Sequence, residues 1–281
     1  MSNSAVYRPH PEAPAQATLR SETPSGAWEG LTAQRFELVS RGDFVPGILY
    51  LPESAQSTPA PLLLLQHGTS EGMNSEALTL AAAWVEKGLA VATIDLPLHG
   101  ERSSPKLSER LISGVDQLAT GSELDPETGA LVEEFARQTT SDLIRTLDAL
   151  TALPEIDGEH LGFMGFGVGA VAGSYLLAHD SRPRVAVLAH AHTGRGPRNL
   201  DPATYLAKAS GVSILVVAAD TANAAKGDGK KGSAASSVSS DALFDSAPEP
   251  KEFLRSSGQA PSLSDKDVAE IWRFLSKELG L

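Results

Sequence analysis

Apolar and polar residues alternate along two early stretches, "RFELVSRG" (35–42) and "FVPGILYLP" (44–52), and this two-residue period predicts an N-terminal antiparallel hairpin. The period then changes. "PLLLLQHG" (61–68) is a continuous apolar run ending in His67-Gly68, the mark of a strand covered on both faces. "NSEALTLAAAWVEKG" (74–88) has helical apolar spacing, with Asn74 as the expected N-cap and Gly88 as the stop. Strand and helix patterns alternate from there. "LAVATID", "HLGFMGF", "RVAVLAHA", "VSILVVAAD" and "KEFLRSS" read as strands. "TSDLIRTLDALTAL", "GAVAGSYLLAH" and "DKDVAEIWRFLSKELG" read as helices. The alternation implies an α/β fold with right-handed crossovers and a mostly parallel central sheet that carries helices on both faces. Ligands in such folds bind beyond the carboxyl ends of the strands.

Three stretches break the rhythm. Residues 1–27 are rich in Pro, Ala, Ser and Glu without periodicity, so they are expected to be a mobile arm ahead of a single domain over 28–281. Residues 101–138 form a polar, partly helical excursion where a lid would lie. Residues 221–240, low-complexity Gly, Ala, Ser and Lys, have too little apolar surface to bury and are expected to be a flexible insertion. Within them "KGDGKKG" lacks the spacing of a phosphate-binding loop.

Composition narrows the function classes. A net charge of -12 over 281 residues argues against binding a nucleic-acid backbone, which needs a basic footprint. No apolar run approaches the roughly 18 residues that span a bilayer. The first twenty residues contain no apolar core of a secretory signal, so a cytoplasmic location is expected. The absence of cysteine excludes disulfides, thiolate metal ligands and a cysteine nucleophile. No cofactor and no metal site is implied, and the oligomeric state is not legible.

The chemistry concentrates in "GFMGFGVGA" (162–170), at a strand-to-helix turn. Gly165-Phe166-Gly167-Val168-Gly169 is the frame of a nucleophile elbow, G-x-S-x-G, with glycine in place of the serine. In their combined order the landmarks resemble the α/β-hydrolase superfamily, particularly its dienelactone-hydrolase and acetyl-xylan-esterase-like branch. "LLLLQHG" is similar to the strand entering the oxyanion loop, "ATIDLPLHGERS" to the exit of the fourth strand, and the closing "PEPKEFLRSSGQAPSLSDKDVAEIWRFL" to the last strand, histidine loop and last helix.

The resemblance implies an α/β-hydrolase fold and a Ser-Asp-His triad, and it places Gly167, Ala222 and Gln259 on the three triad positions. Glycine offers no nucleophile, and glutamine cannot take up a proton near neutral pH. A slip of two residues in the alignment would instead leave Asp220 as a surviving acid. The same resemblance makes the backbone amides of Val168 and Thr69 the oxyanion donors, with Gly68, Phe166, Glu71 and His190 around the pocket.

Other residues compete for chemical roles. His67 reads as a structural member of the oxyanion loop, and His99 likewise, with Glu101 and Arg102 as its polar neighbours. His190 and His192 leave a strand as an H-x-H pair, but no clear third ligand follows, so a shared metal is not implied. A relocated nucleophile at Thr69 or Ser70 lacks an obvious base, and Glu71 is either a general acid-base or a solvated carboxylate. The leading expectation is a catalytically degenerate hydrolase fold that binds a small molecule bearing a carbonyl or anionic group. The alternatives are a non-hydrolytic enzyme of lyase, cyclase or cofactor-free oxygenase type in the same pocket, or an ester or lactone hydrolase that was inactivated or has relocated its catalytic residues.

Overall fold

The computed structural model describes residues 15–191, 199–219, 240–256 and 263–281. Nine strands form one sheet in the order β1-β2-β3-β5-β4-β6-β7-β8-β9. The first three are β1 (Thr18–Glu22), β2 (Thr32–Ser40) and β3 (Asp43–Leu51). The parallel set is β4 (Ala60–Gln66), β5 (Ala90–Ile94), β6 (Ile156–Phe166), β7 (Pro183–Ala189), β8 (Ser213–Ala219) and β9 (Lys251–Ser256). β2 and β3 pair antiparallel, as the alternation predicts, and β3 joins the parallel set antiparallel to β5.

The apolar run of β4 explains itself in this sheet. Leu62 and Leu64 enter one hydrophobic cluster and Leu63 and Leu65 the other, on opposite faces, and all four are fully buried. Helices cover both faces: α3 (Pro126–Leu150) and α4 (Val168–Leu177) with the first cluster, and α7 (Asp265–Leu279) with the second. The remaining helices are α1 (Ala82–Val85), α2 (Pro105–Thr120), α5 (Pro202–Leu206) and α6 (240–246). Among the described residues no helix is long and apolar enough to cross a membrane.

Five expectations need correction. The proposed arm, 1–27, ends in structure: Thr18–Glu22 pairs antiparallel with β2 from Thr18↔Glu37 to Glu22↔Ala33. Its pattern escaped detection because β1 has no buried face to impose a period. The helix expected over 74–88 is a 3₁₀ turn, Glu76–Ala81, running into the single-turn α1, and Ser75 rather than Asn74 caps it by accepting from the Ala77 amide. The helix expected from Thr140 begins at Pro126, so it absorbs the second half of the excursion. The first half is α2, which starts with Pro105 and stops at Gly121, φ 78°. The segment 221–239 lies outside the described residues, and residue 240 opens α6.

The excursion packs down rather than standing clear. Leu111 of α2, with Val132 and Phe135 of α3, shares a buried cluster with Val168 and Tyr175 of α4 and Tyr205 of α5. That cluster seats the two helices on the helix that follows the elbow.

Candidate active site at the strand ends

β6 ends at Phe166, and Gly167 turns the chain directly into α4. Gly167 has φ 50° and ψ -112°, a conformation that side-chain-bearing residues enter only with strain. Its N–H donates to the Ala189 carbonyl at 2.9 Å, so the turn remains stitched to β7. The three glycines of the frame have different causes. A Cβ at Gly165 would lie 2.4 Å from the Gly169 carbonyl carbon, and one at Gly169 would lie 2.5 Å from the His67 oxygen. Close packing of β6, α4 and β4 therefore demands both outer glycines. At Gly167 the nearest atoms to such a Cβ are Gly68 Cα and Thr69 Oγ1, both at 4.0 Å. Packing does not require glycine there; only the backbone conformation favours it.

The loop after β4 faces this turn. Val168 is the first residue of α4, so its N–H has no carbonyl one turn earlier to bond. The loop is held by Glu71, whose Oε2 accepts from the Gly68 N–H at 2.9 Å and from Ser75 Oγ at 2.8 Å. Glu71 is thus committed to shaping the loop through one oxygen, a role that sequence spacing alone does not disclose. The loop at the end of β5 is fixed by Asp95, 1% exposed, whose two oxygens accept from the Met73 N–H at 2.6 Å and the Glu101 N–H at 2.7 Å. A carboxylate closing a fully buried strand was the available signal, because a charge in that position needs partners.

The structure gives His67 a structural place. Its Nδ1 bonds the Gly68 carbonyl at 2.9 Å and its Nε2 accepts from the Leu96 N–H at 3.1 Å, which fixes a neutral ring protonated at Nδ1. Burial lowers its pKa from 6.5 to about 4, opposed by the Gly68 hydrogen bond. The Arg102 charge acts on the His99 ring, as expected of a polar neighbour, but the ring's hydrogen bond goes elsewhere. Its Nδ1 bonds the Pro97 carbonyl at 2.8 Å, and its ring lies 5.3 Å from that of His67 and 5.9 Å from that of Phe135. Glu101 instead pairs with Arg35, and Arg102 reaches Asp43 and Asp142. Burial also lowers the His99 pKa. Neither His67 nor His99 pairs with a hydroxyl, so no relay from Thr69 or Ser70 runs through them.

His190 is buried just beyond β7, with φ 56° and its N–H bonded to the Val217 carbonyl at 2.9 Å. Ala222, Gln259, His192 and Asp220 lie outside the described residues. Left-handed backbone gathers here: Ser70 (φ 65°) follows β4, Leu98 (φ 62°) follows β5, Gly167 follows β6 and His190 follows β7. Strained residues of this kind collect where a fold positions groups for binding or chemistry.

Among the described residues two clefts beside the loop are lined by Glu71. One, of about 680 Å³, also reaches Met73, Asp95 and Glu101. The other, of about 450 Å³, runs from Phe166 to Leu263 and Val268.

The sheet order, the elbow and the strand-end loops are those of the α/β-hydrolase fold, and comparison with solved structures agrees. An acetyl xylan esterase from Thermoanaerobacterium sp. superposes with a TM-score of 0.68 at 13% identity, covering 93% of this chain and 87% of its own. An acetyl xylan esterase from Paenibacillus sp. gives 0.67 at 17%, covering 94% and 89%. A cold-adapted esterase from an Arctic intertidal metagenomic library gives 0.67 at 21%, covering 90% and 99%. No family model matches the sequence. No curated protein matches it either.

Proposed function

We propose that the protein binds a small molecule at the strand-end pocket around Gly167 and does not hydrolyse it by a serine mechanism. One observation carries this reading: the residue at the elbow has no side chain, in a turn that has room for one. Attack and covalent acylation both need an atom that glycine lacks. The sequence assignments of Ala222 and Gln259 point the same way, since neither residue can supply the acid or the base.

Binding survives such a loss. The Val168 and Thr69 amides are backbone groups, and donors of this kind together with binding alone sustain roughly 10³–10⁴-fold over water in triad-deleted hydrolases. The ligand then presents a carbonyl or anionic oxygen to those amides. The retained left-handed residues at four neighbouring strand ends support a pocket that is still organised.

p-Nitrophenyl acetate tests the reading. Any turnover above a buffer control should be slight and insensitive to a serine-directed fluorophosphonate, as expected of oxyanion donors acting without a nucleophile. Gly167→Ser, Ala222→Asp and Gln259→His combined should create measurable esterase activity, because they restore nucleophile, acid and base together. Turnover by the unaltered protein that a serine-directed fluorophosphonate abolishes would overturn the proposal.

A further inference from the structure

We infer that a buried polar cluster behind the elbow binds ordered water, which joins Gln66 at the end of β4, His99 after β5 and Thr139 of α3. Gln66 and Thr139 are fully buried and His99 is 4% exposed. Among the described residues, no protein group bonds Gln66 Nε2, Gln66 Oε1, His99 Nε2 or Thr139 Oγ1. An unmet polar atom in the interior keeps its full desolvation penalty, so such atoms are paired with protein or with water. Together these atoms offer water the partners it needs, about two to four per molecule.

The three side chains converge on the first turn of α4. Gln66 leaves β4 on the face of Leu62 and Leu64, which α3 and α4 cover. A Cβ at Gly169 would lie 2.9 Å from the Gln66 Cβ. Val168, one residue earlier, shares a buried cluster with Phe135 of α3, and the His99 ring lies 5.9 Å from that of Phe135. Thr139 follows Phe135 by four residues, so both stand on the same buried stripe of α3.

Their chemistry is complementary through water. His99 Nδ1 bonds the Pro97 carbonyl, so the neutral ring carries its proton there and Nε2 is an acceptor. The Gln66 amide brings two protons and an acceptor, and the Thr139 hydroxyl brings one donor with acceptor capacity. Water that donates to His99 Nε2 and accepts from Gln66 Nε2 meets both needs, and its contacts with Gln66 Oε1 and Thr139 Oγ1 close the circuit. The inference goes beyond the reading of Gly167 and stands without it, because none of the three residues lines either strand-end cleft.

Two measurements on the unaltered full chain test it. The Gln66 side-chain amide protons should show nuclear Overhauser contacts to long-lived water. A crystal structure should show water within about 3.2 Å of both Gln66 and His99 Nε2. Gln66→Met and Thr139→Val remove the polar atoms at nearly constant size and ask whether one cluster is shared. Combined, they should lower the urea midpoint by no more than about two thirds of the sum of their separate effects, because the first loss already releases the water. Absence of water by either measurement, Gln66 bonded directly to protein groups, or additive midpoints would each overturn the inference.

Discussion

At Gly167, sterics and conformation separate. Among the described residues nothing lies closer than 4.0 Å to a Cβ placed there, so a side chain fits, but φ 50° and ψ -112° would strain any residue that carries one. Gly167→Ser alone should therefore fold with the same structure and lose about 1–3 kcal/mol in urea denaturation, without gaining esterase activity. A larger loss would mean that the space is closed. His67 offers a second prediction. Its folded pKa of about 4 lies below its ordinary 6.5, so the unfolded chain takes up the proton first as pH falls. The stability held in the neutral ring is complete above about pH 6.5 and is lost on the way down to pH 4, on the order of 3 kcal/mol. His99, also lowered by burial, acts in the same direction. His67→Gln keeps a donor and an acceptor but does not titrate, so its urea midpoints should change less between pH 7 and pH 4.5 than those of the unaltered protein. An unchanged slope would place the titration elsewhere.

The residue scale also shows what sequence could disclose. The elbow was readable because its glycine frame is local, and the structural place of His67 followed from its neighbour Gly68. The latch formed by Glu71 was not readable, because a carboxylate three residues from the amide it accepts looks the same as a solvated one until the loop is folded. The partners of the two residues expected beside His99 were hidden for a related reason: the Arg102 charge does act on the His99 ring, but Glu101 and Arg102 form their ion pairs with Arg35, Asp43 and Asp142 on other elements.

At the scale of elements, α3 is tied to the strand-end loops by one buried ion pair. Arg102 donates to Asp142 Oδ2 at 2.8 Å and to the Asp95 carbonyl at 3.0 Å, and the Asp142 side chain is completely buried. Removing the cation strands a carboxylate whose pKa burial already raises. Arg102→Ala should cost about 3–5 kcal/mol in guanidinium denaturation, and Arg102→Met with Asp142→Leu should recover most of it. If the double variant is no better than the single, the arginine acts through Asp95 or Asp43 instead. Buried strands were legible because burial writes a pattern into them, a continuous apolar run in β4 and β8. β1 was not, having no buried face, and the helix at 74–88 failed because apolar spacing does not separate a 3₁₀ turn from an α-helix. The stop signals Pro105, Gly121 and Pro126 were present within the excursion, yet only packing against Val168 and Tyr175 shows where its helices lie.

For the molecule as a whole, stability should be graded from the sheet centre outward. β4 is paired on both sides, by β5 and β6, and its leucines are covered on both faces. β1 is paired on one side only and is mostly exposed. Amide hydrogen exchange should therefore report global unfolding at Leu63 and Leu64 and much cheaper local opening at Leu19 and Ser21. Equal protection at both would mean that β1 is secured by contacts beyond its pairing with β2.

The two flanks of the sheet carry a further consequence. Among the described residues β1, "TLRSE", and β9, "KEFLRS", are the outermost strands, each paired with one neighbouring strand. Both are short, and ionic side chains punctuate both: Arg20 and Glu22 on one, Lys251, Glu252 and Arg255 on the other. Charges so placed repel an incoming strand from another molecule, which keeps the sheet from growing past its ninth member. Exchanging Lys251, Glu252 and Arg255 for threonine and valine would strip that guard, and concentrated solutions of such a variant would be expected to seed fibrils where the natural chain stays dispersed.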